Sequence, residues 1–163
     1  MKHTCEKAGP VYMPGRAYRK DNPVAAMIMV VDDDIHVLHL MELVLKRLQC
    51  SVVTIQDPEE AVRLLESVTP DLFILDYMMP NINGIELCRY IRTYPTTAQT
   101  PVVILSAYYE PEKVTEALQA GANAYLPKTA LHSELISQIR GLLNFSNLPG
   151  AKSSGFSSAT ANY

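Results

Sequence analysis

The chain has few cysteines and no spacing that would use them. Cys5, Cys50 and Cys88 are odd in number and scattered, with neither a CxxC pair nor Cys/His ligand spacing, which argues against a disulfide framework and a zinc site. A reducing cytoplasm suits such a chain. Long apolar runs are also missing. No stretch reaches the roughly 18 apolar residues of a membrane span. The opening MKHTCEKAGPVYMPGRAYRK is broken by Pro10, Pro14 and Gly15 before a secretory h-region develops. Neither a secretion signal nor a membrane anchor is therefore expected. Positive charge is scarce outside one end: the formal charge is -3, yet Lys2, Lys7, Arg16, Arg19 and Lys20 face only Glu6 and Asp21 within the first 25 residues. The acidic remainder repels phosphate backbones, so nucleic acid is not an expected partner.

What is present fits one domain. A chain of 163 residues with 48% apolar content can bury one sizeable core but not two. Residues 1–25 mix Pro, Gly and basic side chains without periodicity, and residues 145–163 are rich in Ser, Ala and Gly. Both read as flexible tails around a body at 26–144.

Within the body, short β-rich runs alternate with longer segments of helical period, the pattern of a parallel sheet wound with helices. Strands are expected at Met27 to Val31, Ser51 to Ile55, Leu72 to Leu75, Val102 to Leu105 and Ala124 to Leu126. The first helix places Ile35, Leu38, Leu45 and Leu48 on one face, with Asp34 as N-cap. Asp57, Pro58 and Glu60 combine an N-cap, a Pro at the first helical position and a Glu three residues after the cap. Asn81-Ile82-Asn83-Gly84 turns into a helix through Ile85, Leu87, Cys88 and Ile91. Glu110-Pro111 opens a helix closed near Gly121, and Leu131, Leu135, Ile139 and Leu142 mark the last.

In an open parallel sheet, ligands bind outside the carboxyl ends of the strands. Asp32, Asp33 and Asp34 follow the first strand, Asp76 the third, Ser106 the fourth and Lys128 the fifth. Singly, each has an ordinary reading: helix cap, turn former, solvated surface charge. Together they place several carboxylates at one edge, where mutual repulsion calls for a cation. Mg²⁺ suits an oxygen-only donor set. A carboxylate is also a competent nucleophile toward phosphorus, and a Lys and a hydroxyl can then offset charge on the phosphoryl oxygens.

The strings MVVDDD (29 to 34), DLFILDYMMPNINGIEL (71 to 87), VVILSA (102 to 107) and GANAYLPK (121 to 128) resemble the four signature segments of response-regulator receiver domains of two-component signalling. The resemblance covers about residues 27 to 143 and implies a flavodoxin-like (βα)5 doubly wound fold with strand order 2-1-3-4-5. It implies that Asp76 is the phosphoacceptor and that Asp33 ligates Mg²⁺ directly, with Asp32 acting through water. Met78 then offers its backbone carbonyl to the metal, while Ser106 and Lys128 address the phosphoryl group. Tyr125 matches the aromatic switch position, although an aromatic half buried on a short edge strand reads equally as packing. Met78 and Tyr108 match positions that tune phosphoryl lifetime.

One departure stands out: a Pro usually follows the Lys in the family, often after a cis bond, whereas here Thr129 follows and Pro127 precedes. A cis bond before a non-proline residue costs about 2.5–4 kcal/mol, which leaves that loop open at this point. The expected function is a single-domain regulator that is phosphorylated by a sensor histidine kinase or histidine phosphotransfer protein. It would dephosphorylate itself and act on a protein target through the face of the fourth helix, fifth strand and fifth helix. The alternative is a receiver portion of a longer transcription factor or signalling enzyme. A phosphatase using Asp76 is disfavoured, since Tyr77 and Met78 follow it instead of a second carboxylate.

Overall fold

The computed structural model describes residues 25–108, 110–130 and 133–143. The tails expected at 1–25 and 145–163, residue 25 excepted, lie outside them, as does Leu131. Five parallel strands, β1 (Met27–Val31), β2 (Ser51–Ile55), β3 (Leu72–Asp76), β4 (Val102–Ser106) and β5 (Ala124–Pro127), pair in the order β2-β1-β3-β4-β5. Five helices alternate with them: α1 (Ile35–Lys46), α2 (Pro58–Leu64), α3 (Gly84–Thr93), α4 (Pro111–Gln119) and α5 (Ser133–Leu142).

The inner strands β1, β3 and β4 are buried along nearly their whole length because both sheet faces are covered, while edge strand β2 exposes Ser51 and Thr54. On one face Met29, Val31, Phe73, Leu75 and Ile104 pack with Leu65, Ile85, Leu87 and Ile91. On the other, Ile28, Val30, Ile74, Val103 and Leu105 pack with Leu38, Met41, Leu45, Leu135 and Ile139. Burial of each large side chain contributes about 1.5–3 kcal/mol. Of the expected α1 face, Leu38, Leu45 and Leu48 are buried and Ile35 is not. Leu38, Met41, Val44 and Leu45 face the core, and Ile35 is 41% exposed. Ile35 is the first residue of the helix.

Caps set the helix starts. The Asp34 carboxylate accepts from the His36 N–H at 2.8 Å, and Asp57 from that of Glu59 at 2.9 Å. The reciprocal capping box forms at α3. There Asn83 Oδ1 accepts from the N–H groups of Ile85 and Glu86, while the Glu86 carboxylate accepts from that of Asn83. Two glycines are required by their surroundings. A Cβ on Gly84 would collide with the Asp76 carbonyl, so the loop after β3 closes against the strand end only without one. Gly121, at φ 97°, ends the α4 turn in the left-handed region. Its carbonyl accepts two bonds from the Arg92 guanidinium, at 2.7 and 3.1 Å, tying α3 to the approach of β5.

Candidate functional site

The parallel register brings the carboxyl ends of β1, β3, β4 and β5 to one edge, and the expected site residues meet there. Asp76 closes β3 and pairs in register with Leu105, one residue before Ser106. The next backbone N–H, of Tyr77, donates to the Leu105 carbonyl at 2.7 Å, locking the two strand ends together. Asp32, Asp33 and Asp76 each bring a carboxylate oxygen within 4.8 Å of the others, with Asp33 exposed and the other two buried. Lys128 Nζ bridges Asp32 Oδ2 at 2.8 Å and Asp76 Oδ1 at 2.9 Å. Ser106 is buried and accepts from the Tyr108 N–H at 3.2 Å. Asp34 is set apart from this group by its work as the α1 cap.

The electrostatics follow from burial. Asp76 is pushed up to about 6, first by burial. The hydrogen bond from Lys128 opposes the rise, and the charges of Asp32 and Asp33 add to it. For Lys128, burial favours the neutral form, but the bonds to Asp32 and Asp76 outweigh it and the pKa is raised overall. Among the described residues, one paired cation therefore serves an edge with three carboxylates, leaving net negative charge that a divalent cation would neutralise. The donor set is all oxygen, which suits Mg²⁺ rather than a softer ion.

The chain after Lys128 runs through a short 3₁₀ turn, Lys128–Ala130, and no peptide bond among the described residues is cis. The Lys128-Thr129 bond is thus trans, and Lys128 reaches both carboxylates in that form. Met78 is 60% and Tyr108 68% exposed, so both side chains stand in solvent at the rim. Tyr125 is buried on edge strand β5, its ring centroid 6.2 Å from that of Tyr77. Its hydroxyl is buried with no hydrogen-bond partner among the described residues, and burial raises its pKa, although Ser106 lies near enough to oppose that rise.

Two features escaped sequence reasoning. Gln56 follows β2 at the same sheet edge, and its amide donates to the Asp33 carbonyl at 2.9 Å. The rule that polar residues at strand ends matter would have found it. Lys113 on α4 lies 5.8 Å from the Tyr77 ring centroid and 3.0 Å from Glu116, and the contact with Tyr77 joins distant segments without a sequence signal.

The family model for the response regulator receiver domain matches residues 28–140. The response regulator MprA of Mycolicibacterium vanbaalenii is 39% identical over 71% of this chain and 49% of its own length. The DNA-binding response regulator MtrA of Mycobacterium leprae is 33% identical over 71% of this chain and 50% of its own. This chain therefore spans about half the length of these curated relatives. Among solved structures, the receiver domain of a Pseudomonas aeruginosa sensor histidine kinase, with magnesium coordinated in its active-site cleft, superposes with a TM-score of 0.68. It is 26% identical, over 74% of this chain and 99% of that one. Among the described residues, no helix is long and apolar enough to cross a membrane. By the extent of the match and the shared fold, the chain belongs to the response-regulator receiver-domain family of two-component signalling.

Proposed function

We propose that this receiver takes a phosphoryl group from a phosphohistidine onto Asp76 and signals by the change in shape that follows. The observation that carries the reading is the convergence of Asp32, Asp33, Asp76, Ser106 and Lys128 at one sheet edge, with Lys128 bridging two buried carboxylates. In the transfer, the P–N bond of the donor breaks, an Asp76 oxygen forms the new O–P bond, and the histidine nitrogen keeps the electron pair. Bound Mg²⁺ would neutralise charge on the transferring phosphoryl oxygens. Asp33 would hold it directly, Asp32 through water, and Met78 through its backbone carbonyl. Lys128 is already paired with Asp76 and holds its positive charge where phosphoryl oxygens would accumulate. The Ser106 hydroxyl is the donor at the same edge. Tyr125, with its unpartnered hydroxyl, would follow Ser106, altering the α4-β5-α5 surface offered to a protein target.

The partners on this reading are a sensor histidine kinase or histidine phosphotransfer protein upstream and a protein downstream, in the cytoplasm. The acidic body supports a protein output. The half-length match to MprA and MtrA favours a second reading, a receiver serving an output domain in a longer chain. An immunoblot of the native host separates the two by a band at the size of 163 residues or a larger one.

Hydrogen exchange before and after acetyl phosphate with Mg²⁺ tests the signalling step. Altered protection is expected in the β4–α4 loop, α4 and β5 of wild type, and none in Asp76→Asn. Identical exchange in phosphorylated and unphosphorylated protein would defeat the reading.

Signal lifetime is the next expectation. Hydrolysis needs a water in line with the Asp76 oxygen to phosphorus bond. At the flanking positions Met78 and Tyr108 carry no carboxylate or amide to orient it. Replacing them together with Met78→Asn and Tyr108→Glu should speed phosphoryl loss several-fold, measured as phosphoprotein decay in Mg²⁺ after donor removal. An unchanged or slower decay would count against this role.

A further inference from the structure

The peptide unit between Asp33 and Asp34 is held at both ends. Its carbonyl accepts from Gln56 Nε2 at 2.9 Å, and its N–H donates to Asp32 Oδ1 at 3.0 Å. The other Asp32 oxygen, Oδ2, faces Lys128 at 2.8 Å. The carboxylate of Asp32 is therefore oriented by two donors, and one of these, the Asp34 N–H, belongs to a peptide whose tilt Gln56 sets. The end of β2 adds a third tie, since the Ile55 carbonyl accepts from the Asp32 N–H at 3.2 Å.

From this chain of bonds we infer that Gln56 is a positioning residue for the metal site, an inference that rests on the Mg²⁺ reading above. Gln56 touches neither metal nor phosphoryl group. It fixes the plane of the Asp33-Asp34 peptide, and through it the direction of the Asp32 carboxylate and the start of the Asp33 side chain. Groups that orient ligands in this way typically change metal affinity about 10- to 100-fold when removed. The exposed setting of Gln56 places it at the low end of that range. The requirement is for a donor: an ionised Glu at this position has no N–H to give the Asp33 carbonyl and would leave the peptide unheld.

The test titrates metal-free wild type, Gln56→Ala, Gln56→Glu and Asp33→Ala with Mg²⁺ by calorimetry, and follows exchange of the Asp34 amide by NMR without metal. Gln56→Ala should raise the Kd about 10-fold, and Gln56→Glu, which cannot donate to the Asp33 carbonyl, should expose the Asp34 amide as Gln56→Ala does even though its charge attracts the cation. The Asp34 amide should exchange several-fold faster in Gln56→Ala, while α3 amides keep wild-type rates. A Kd within twofold of a wild type that binds Mg²⁺, or an Asp34 amide exchanging at the wild-type rate, would overturn the role of Gln56. A wild type with no saturable Mg²⁺ binding, or Asp33→Ala binding as wild type does, overturns the metal reading instead. The amide measurement still decides the hold of Gln56 on the loop.

Discussion

Asp76→Asn should make the metal-free protein more stable at pH 7. The Asp76 carboxyl titrates near 6 in the fold against an ordinary value of 3.8, so between those pH values the folded state binds more protons than the unfolded one. Stability therefore falls as pH rises from about 4 to about 6 and stays at its lower level above. Two pKa units correspond to at most about 3 kcal/mol, a shift that is already net of the opposing bond from Lys128. The amide that replaces the carboxyl cannot ionise, keeps an oxygen for Lys128, and relieves the repulsion from Asp32 and Asp33. Urea unfolding at pH 4 and pH 7 should show wild type losing about 2 kcal/mol more than the variant across that interval. Added Mg²⁺ should narrow the gap by stabilising wild type through mass action. Parallel pH curves, or a variant less stable than wild type at pH 7, would contradict the electrostatic account.

Lys128→Met should act in the opposite direction and more strongly. Asp32 is 2% and Asp76 4% exposed, and Lys128 is the cation paired with both. Removing one partner of a buried ion pair costs about 3–5 kcal/mol, because the remaining charge is left uncompensated. That is a large part of the roughly 5–15 kcal/mol typical of a domain. The direction with pH is fixed by the same groups. Without Lys128, Asp76 loses the interaction that holds its pKa down, so its protonation at lower pH relieves the defect, and the loss should shrink from pH 7 to pH 5. Mg²⁺ should recover part of it at neutral pH. Lys46→Met removes only a solvent-exposed pair with Glu42 and should change stability by well under about 1 kcal/mol. Equal effects of the two substitutions in urea unfolding would show that the Lys128 bridge contributes nothing special.

The parts of this protein that are legible in sequence are those written locally. Five short runs bounded by turn residues fall where the strands lie, and the inner three are apolar because a strand covered on both faces must be. Asp34 and Asp57 are legible as caps because a capping side chain bonds within two residues of itself. The Asn83 and Glu86 box has an equally local signature, masked by the more conspicuous Asn-Gly turn beside it. The α1 face is legible in Leu38, Leu45 and Leu48, which share the core with Met41, and fails only at Ile35 in the first turn.

At the site, Asp32, Asp33, Asp76, Ser106 and Lys128 are legible as strand-end residues, but their distances are not. Lys128 lies 52 positions after Asp76 in sequence and 2.9 Å from it in space, a closeness produced by parallel register alone. Gln56 and Lys113 act through such non-local contacts too, and only the place of Gln56 after β2 announces it.

The most direct measurement is intact-protein and peptide mass spectrometry after incubation with acetyl phosphate and Mg²⁺, comparing wild type with Asp76→Asn. The account predicts one phosphoryl group on wild type, mapped to the peptide containing Asp76, and none on the variant. Equal labelling of the two proteins, or a phosphoryl group mapped elsewhere, would contradict it.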